Sequence, residues 1–211
     1  MDSTRVLLIR HGQSEGNAAG RFGGHTATPL SERGRREAEA TARALLAEKD
    51  SITFIASSDL LRAVETAAPL ARELQADVYR TSGFRERSVG QLEGLTFEEA
   101  AEAHPDEYAA LLRRDFEHVM TGGESYRQLL DRAAGELDRL IEEHRGGTIA
   151  VFSHTGTICI LALHLMGALD APALRPVWIY TNNCGITRFK IRADGYVRVQ
   201  VVNDTRHLIN L

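Results

Sequence analysis

Cysteine and tryptophan are scarce in this chain of 211 residues, with two of the first, Cys159 and Cys184, and one of the second. Two cysteines are too few for a disulfide scaffold or a thiolate zinc site, and they suit a reducing compartment. Both lie in apolar surroundings and read as inert core residues. Long hydrophobic runs are also missing: the longest, residues 158–166, is interrupted by His164 and falls short of the roughly 20 apolar residues a bilayer span needs. At the N-terminus an acid, Asp2, precedes the apolar run Val6-Leu7-Leu8-Ile9, which is too short for a signal peptide. Positive charge is not in excess either. Lys plus Arg is 25 against 29 for Asp plus Glu, a formal charge of −4, which argues against general binding to nucleic acid or to anionic membranes. No Walker A sequence is present, Gly20, Gly23 and Gly24 form no dinucleotide fingerprint, and no H-E-x-x-H or H-x-H pairing supplies metal ligands. The chemistry is therefore expected to be free of metal and cofactor. What remains, 43% hydrophobic and 26% charged, is the composition of a soluble globular protein, read as cytoplasmic.

The apolar runs alternate with helical patterns. Val6-Leu7-Leu8-Ile9, Ile52-Thr53-Phe54-Ile55 and Thr148-Ile149-Ala150-Val151-Phe152 are continuous and β-rich, as strands buried on both faces are. Val78-Tyr79 is a short further strand. Residues 31–48 carry Ala38, Ala42, Leu45 and Leu46 on one helical stripe, a second helix covers about 59–74, and residues 125–145 open on the capping-box pattern Ser125-Tyr126-Arg127-Gln128. Residues 158–166 read as a buried helix. Near the end the period changes, and 185–191 and 196–202, joined through Ala193-Asp194-Gly195, read as a β-hairpin. This order predicts an α/β fold in three layers: a mostly parallel sheet flanked by helices, with an antiparallel C-terminal hairpin. Residues 91–123 lack a strand, carry a capping box at Thr96-Phe97-Glu98-Glu99 and break at Pro105. They are expected to form a small helical cap inserted over the sheet. No linker splits the chain, so residues 1–211 are read as a single domain.

Ligands of open α/β sheets bind outside the carboxyl ends of the strands. The residues there are Arg10-His11-Gly12 after the first strand, Ser57, Ser58 and Arg62 after the second, Arg85-Glu86-Arg87 after the third and Ser153-His154-Thr155-Gly156 after the fourth. Two histidines, several arginines and a carboxylate thus converge on one edge. Guanidinium groups are planar partners for phosphate and carboxylate oxygens, and an acid among them can protonate a leaving oxygen. The combination points to phosphoryl chemistry in which a neutral histidine attacks phosphorus, while guanidinium groups and a second, protonated imidazole hold the equatorial oxygens.

The same residues carry a resemblance. Leu8-Ile9-Arg10-His11-Gly12-Gln13-Ser14-Glu15-Gly16-Asn17, Arg21-Phe22-Gly23-Gly24 and Pro29-Leu30-Ser31-Glu32-Arg33-Gly34 resemble the N-terminal signature of the histidine phosphatase superfamily, in its phosphoglycerate mutase-like branch. Residues 57–67, from Ser57 to Ala67, are similar to its second motif. Phe84-Arg85-Glu86-Arg87 with Leu92-Glu93-Gly94, Ser153-His154-Thr155-Gly156, and Asn203-Asp204-Thr205-Arg206-His207-Leu208 resemble its later segments. The likeness runs through nearly the whole chain in the right order. It implies that His11 is the phosphorylated nucleophile, that Arg10, Arg62 and His154 form the phosphate pocket, and that Glu86 is the proton donor. Asn17, the backbone at Gly24 and Thr155 are implied as substrate contacts. Gly16, where many members have tryptophan, and Ala27, where an aspartate is common, depart from the pattern and bear on specificity.

Other residues receive plainer readings. Glu93 is the alternative acid, in a loop close to that of Glu86. Arg85 and Arg87 read as solvated or rim residues, and Arg113-Arg114 as a charged helix face, with contact to a second acidic group of the substrate as the other reading. His25, His104, His118, His144, His164 and His207 need no functional role. The function expected is a metal-independent phosphomonoesterase, or phosphoric monoester hydrolase, acting on a small phosphorylated substrate, since the modest interval from Glu86 to His154 leaves the site open to water. The alternatives are a cofactor-dependent phosphoglycerate mutase using the same phosphohistidine, and a non-catalytic phospho-ligand-binding protein. A homodimer is implied only by the resemblance.

Overall fold

The computed structural model describes residues 3–47, 51–169, 177–209 and 211. Six strands form one sheet: β1 (Ser3–Arg10), β2 (Phe54–Ser58), β3 (Tyr79–Thr81), β4 (Thr148–Ser153), β5 (Ile186–Arg192) and β6 (Val197–Asp204), in the order β3-β2-β4-β1-β5-β6. The first four are mutually parallel, while β5 runs antiparallel to β1 and β6 to β5. The expected α/β architecture with its C-terminal hairpin is thus the one observed. The central strands are buried along their length, which is why their sequences run apolar without alternation.

Alternate side chains of those strands serve two cores. Val6, Leu8, Ala56, Ile149 and Val151 pack against α6 (Tyr126–Glu143) and α7 (Thr155–Leu165), through Leu129, Leu137, Ile158 and Leu161. Leu7, Ile9, Ile55, Ala150 and Phe152 pack on the other face against α2 (Glu32–Ala47) and α3 (Leu61–Leu74), through Leu45 and Leu70. Because the pleat has a period of two, one strand sequence supplies both faces and the helices close the three layers. The expected capping boxes at Ser125 and Thr96 are both formed, each stabilising a helix start by about 1 kcal/mol. Helices α4 (Phe97–Ala103) and α5 (Pro105–Arg113) occupy the stretch expected to be helical. They build a small core of their own from Val89, Leu92, Ala100 and Met120. Pro105 stands at the first turn of α5, where its missing N–H leaves no hydrogen bond unmade.

Boundaries moved in informative ways. The second strand ends at Ser58, so Ser57 and Ser58 belong to the sheet and are fully buried. Helix α7 starts at Thr155, ahead of the apolar run, with His154 as its N-cap. A one-turn helix, α1 (Glu15–Ala18), escaped the pattern reading because four residues carry no periodicity; a capping box between Ser14 and Asn17 makes it. Asp2 and Glu48 lie outside the described residues.

The glycines of the first signature are required by close approach. A β-carbon on Gly12 would meet the Gly34 carbonyl oxygen at 2.6 Å, and one on Gly34 would meet the Gln13 carbonyl oxygen at 2.0 Å. These contacts seat the start of α2 on the turn that follows β1. Gly34→Ala is therefore expected to destabilise the protein by about 2–4 kcal/mol, because backbone must move. Urea unfolding measures this, and a change below about 0.5 kcal/mol would contradict the packing described.

Candidate active site

Strand register brings the two expected histidines together. Arg10 pairs with Ser153 across β1 and β4, so the next residues, His11 and His154, leave the sheet side by side with ring centroids 5.1 Å apart. The backbone N–H of His11 donates to the Ser153 carbonyl at 2.9 Å. Both rings are buried, His11 at 4% exposure and His154 at 0%.

The hydrogen bonds of His11 fix its tautomer. Arg62 Nε lies 3.3 Å from His11 Nε2 and can only donate, so Nε2 carries the lone pair. The proton then sits on Nδ1, 2.7 Å from the Gly12 carbonyl that accepts it. His154 is oriented by Ser58, whose Oγ lies 2.9 Å from Nε2 and already accepts the Leu60 N–H at 3.2 Å. With its hydroxyl hydrogen directed to Nε2, the N–H of His154 falls on Nδ1, a buried atom without a hydrogen-bond partner. Burial, with the Arg62 and Arg10 guanidinium groups nearby, pushes the pKa of both imidazoles well below 6.5, so the second imidazole, His154, expected to be protonated, is neutral. The site thus holds one imidazole whose Nε2 lone pair accepts only from Arg62, at 3.3 Å, and one with an uncommitted N–H.

Arginines surround this pair. Arg62, 2% exposed, is fixed by carbonyls of the 23–26 loop: Nη2 donates to Gly24 at 2.8 Å and Nη1 to Thr26 at 3.0 Å. Burial lowers its pKa only to about 10, so it stays charged. Gly24 has φ +43°, and any side chain there would collide with Glu93, so this turn needs glycine. Arg10 donates through Nη1 to the Thr181 carbonyl at 2.5 Å, while its buried Nε has no partner. Thr66 takes the Gly12 N–H at 3.0 Å and so ties the second motif to the first.

Glu86 closes the site from the loop after β3. Its carboxylate accepts backbone N–H groups from Arg87 (2.9 Å), Gly156 (3.0 Å) and Thr157 (3.2 Å), the last two at the N-terminus of α7, where negative charge is favoured. A β-carbon on Gly156 would meet Glu86 Oε1 at 2.4 Å, which explains the glycine behind His154. The Glu86 carbonyl is gripped by Arg132 Nη2 at 2.9 Å and by His25 Nε2 at 2.8 Å. Glu93, the alternative acid, instead accepts from Ser88 Oγ and the Val89 N–H and does not line the cavity in front of His11.

That cavity, about 360 Å³, is lined by Arg10, His11, Asn17, Gly24, Glu86 and Thr155 among others. Arg62 and His154 stand behind its wall, reached through His11. Asn17 Oδ1 accepts from Ser14 N–H and from Asn183 Nδ2, leaving its Nδ2 donor uncommitted, and Thr155 Oγ1 accepts from Thr181 Oγ1 at 3.1 Å. Two arginines differ from expectation. Arg87 is not a rim residue but 3% exposed, its guanidinium 3.8 Å from the centroid of Tyr126, because the ring covers its charge from solvent. Arg114 leaves the charged helix face and stacks on Trp178 at 3.6 Å. Arg85 keeps its rim position, in a two-pronged ion pair with Asp59, and Arg113 is exposed. Ser58 is one of the strand-end residues expected at the site; Thr66, His25, Arg132 and Asn183 were not foreseen, and of these only Thr66 lies inside one of the motifs quoted above.

Among the described residues no three His, Cys, Asp or Glu side chains group to hold a metal ion, and no helix is long and apolar enough to cross a membrane.

A parallel sheet whose carboxyl edge ends in two buried imidazoles ringed by guanidinium groups makes a nucleophilic, oxyanion-binding centre. Residues 6–205 match the histidine phosphatase superfamily, branch 1, and the chain belongs to that family. A metal-independent phosphoserine phosphatase of Arabidopsis thaliana is 36% identical over 174 residues, covering 81% of this chain and 72% of that one. A bifunctional protein of Mycobacterium tuberculosis is 37% identical over 205 residues, 97% of this chain, which spans only 55% of that relative's length. Among solved structures, a phosphoserine phosphatase mutant of Entamoeba histolytica, in complex with phosphoserine, superposes with a TM-score of 0.81 at 28% identity, covering 98% of this chain and all of that one. The expected enzyme class, phosphoric monoester hydrolase, is the class of these phosphatases.

The buried neutral imidazoles set a pH dependence. Below pH 6.5 the unfolded chain takes up protons at these two positions while the folded chain does not. The stability they contribute is therefore present above 6.5 and lost on acidification, at up to about 1.4 kcal/mol per pH unit for each group. Urea unfolding between pH 7 and 5 is expected to show the fall, and the Cε1–H resonances of His11 and His154 to stay at neutral-form positions. Titration of either ring near 6.5 would refute the burial argument.

Proposed function

We propose that the chain hydrolyses phosphomonoesters through a phosphohistidine on His11, with Glu86 as proton donor. The observation that carries this reading is His11 in the wall of a cavity that Glu86 also lines, its proton on Nδ1 toward Gly12 and its Nε2 lone pair held by the Arg62 Nε–H alone, at 3.3 Å. The phosphoryl group enters with its oxygens on the Arg62 and Arg10 guanidinium groups and on the free Nδ1–H of His154. These groups neutralise the charge that builds in the transition state. His11 Nε2 attacks phosphorus in line, the ester P–O bond breaks, and Glu86 gives its proton to the departing alkoxide. Glu86, now ionised, takes a proton from water, whose oxygen attacks the phosphohistidine; the N–P bond breaks and the neutral imidazole returns. Asn17 and Thr155 are placed to contact bound oxygens, as is the backbone at Gly24.

Transfer to water is favoured over return to a second substrate hydroxyl because the cavity mouth is open: Leu112 and Phe97 at its rim are 64% and 51% exposed. The phosphatases named above act on small phosphorylated compounds, and a substrate of that size fits this cavity. A reducing, cytoplasmic setting agrees with the free thiols of Cys159 and Cys184, which burial pushes to about 11 and about 12.

Phosphate release from p-nitrophenyl phosphate and 3-phosphoglycerate, with EDTA present, tests the reading. His11→Ala is expected to lower release at least 1000-fold and to abolish an acid-labile, alkali-stable phosphoenzyme; retained turnover would overturn the nucleophile. Glu86→Gln is expected to slow alkyl phosphates by about 10²–10⁴ and p-nitrophenyl phosphate much less, since nitrophenolate leaves without a proton. Equal losses would move the acid to another residue.

A further inference from the structure

The loop that carries Glu86 lies outside the sheet, yet each of its carbonyls from Ser82 to Glu86 accepts a hydrogen bond from a side chain. Ser153 Oγ donates to Phe84 and Thr157 Oγ1 to Arg85, both at 2.8 Å. Arg132 of α6 takes the other three: Nη1 donates to Ser82 at 3.2 Å and to Gly83 at 2.9 Å, and Nη2 to Glu86 at 2.9 Å. The same guanidinium meets Glu124 through Nε at 3.0 Å and Nη2 at 2.7 Å, so all its N–H donors are used. Glu124 in turn holds the chain beyond Glu86. Its Oε1 accepts the Ser88 N–H at 2.9 Å, and its own N–H donates to the Ser88 carbonyl at 3.1 Å. A β-carbon on Gly123 would meet that carbonyl at 2.6 Å, so the segment leading to Glu124 lies directly on the loop. His25 adds a further contact, donating from Nε2 to the Glu86 carbonyl at 2.8 Å. It does so from the turn whose Gly24 and Thr26 carbonyls hold Arg62. A buried loop needs one donor for each carbonyl; the carbonyl of Glu86 has two.

We propose that Arg132 and Glu124 are positioning residues for the proton donor, clamping the backbone on both sides of Glu86 and so fixing its carboxylate against the start of α7. This rests on the phosphomonoesterase reading, with Glu86 as the acid, and adds which residues make that acid effective. A proton passes to the departing oxygen only along a formed hydrogen bond, and misplacement by about 1 Å costs on the order of 10²-fold in rate. The carboxylate is itself held unevenly. Oε1 accepts the Arg87 and Thr157 N–H groups, while Oε2 accepts only that of Gly156, which leaves Oε2 a lone pair for the proton. Gly156 and Thr157 stand in the first turn of α7, where N–H groups have no partner within the helix. Their amides therefore report where the Glu86 carboxylate is.

Esters that differ in leaving group test the clamp, because only a poor leaving group needs the acid. In Arg132→Met, kcat/KM is expected to fall about 30–100-fold for ethyl phosphate and no more than about threefold for p-nitrophenyl phosphate. Arg132→Lys restores part of the ethyl phosphate rate, and Glu124→Gln, which breaks the ion pair but keeps an acceptor for Ser88, lies between the two. In a Glu86→Gln background, Arg132→Met is expected to leave the ratio of the two esters unchanged, since the group it positions is gone. Equal losses for both esters in Arg132→Met and Glu124→Gln, or a ratio that still moves in the Glu86→Gln background, would overturn the proposal. Amide exchange decides without turnover. In Arg132→Met and Glu124→Gln the Gly156 and Thr157 amides are expected to exchange about tenfold faster or more, while that of Ile158, bonded within the helix to the His154 carbonyl at 2.8 Å, is unchanged. Unchanged exchange at Gly156 and Thr157, or protection lost throughout α7, would refute positioning. If the wild-type chain releases phosphate from neither ester, the phosphatase reading fails, and the exchange rates still decide whether Arg132 and Glu124 hold Glu86.

Discussion

The parallel pairing of β1 with β4, in the register that sets Arg10 against Ser153, is the constraint on which the site depends. It places two imidazoles from positions 143 residues apart in sequence (154 − 11) at adjacent strand ends. It also buries both rings, His11 in the wall of the cavity and His154 behind it. A shift of one residue would turn every side chain of the strand to the opposite face, exchanging the Val6 and Leu8 core for that of Leu7 and Ile9. The two helical layers therefore hold the register, and through it the geometry of His11 and His154.

Burial and positive charge then act together. In water an imidazole near neutrality is a mixture of two charge states; here desolvation and two guanidinium groups leave it neutral. The proton positions follow from neighbours that are otherwise plain structural features: a carbonyl at Gly12, a guanidinium at Arg62, a serine at the end of β2. Glu86 is likewise fixed by the backbone of α7 and by the Arg132 and His25 contacts to its carbonyl. A chain of net charge −4 thus concentrates cations where an anion is to be bound. Outside that pocket most arginines are spent in pairs with carboxylates at the surface, such as Arg36 with Glu32 and Arg139 with Glu143, which contribute little to stability individually.

Much of this architecture is legible in the amino-acid sequence. Continuous apolar runs mark the central strands because both faces are covered, and the capping boxes at Thr96 and Ser125 mark helix starts because their hydrogen bonds are local. The short helix at Glu15–Ala18 and the ends of β2 and α7 are not legible, since four residues have no period and Ser57, Ser58 and His154 carry no apolar signal. Arg85 and Arg87 look alike in sequence, two positions apart in one loop. One meets Asp59 at the rim and the other slides under Tyr126, a difference made by partners 26 residues before and 39 residues after them (85 − 59 and 126 − 87).

The sequence by itself determined which chemistry was present: histidine, arginine and glutamate at strand ends, glycines where backbones meet, and a hydrophobic pattern of one period per element. These are local properties, written in neighbouring residues. Only the tertiary structure decided which nitrogen of His11 holds the lone pair, that Glu86 and not Glu93 faces the cavity, and that Arg87 is buried with a donor to spare. Each depends on which distant groups exclude water from a side chain or share a hydrogen bond with it, and the strength of charge in a protein is set by that exclusion.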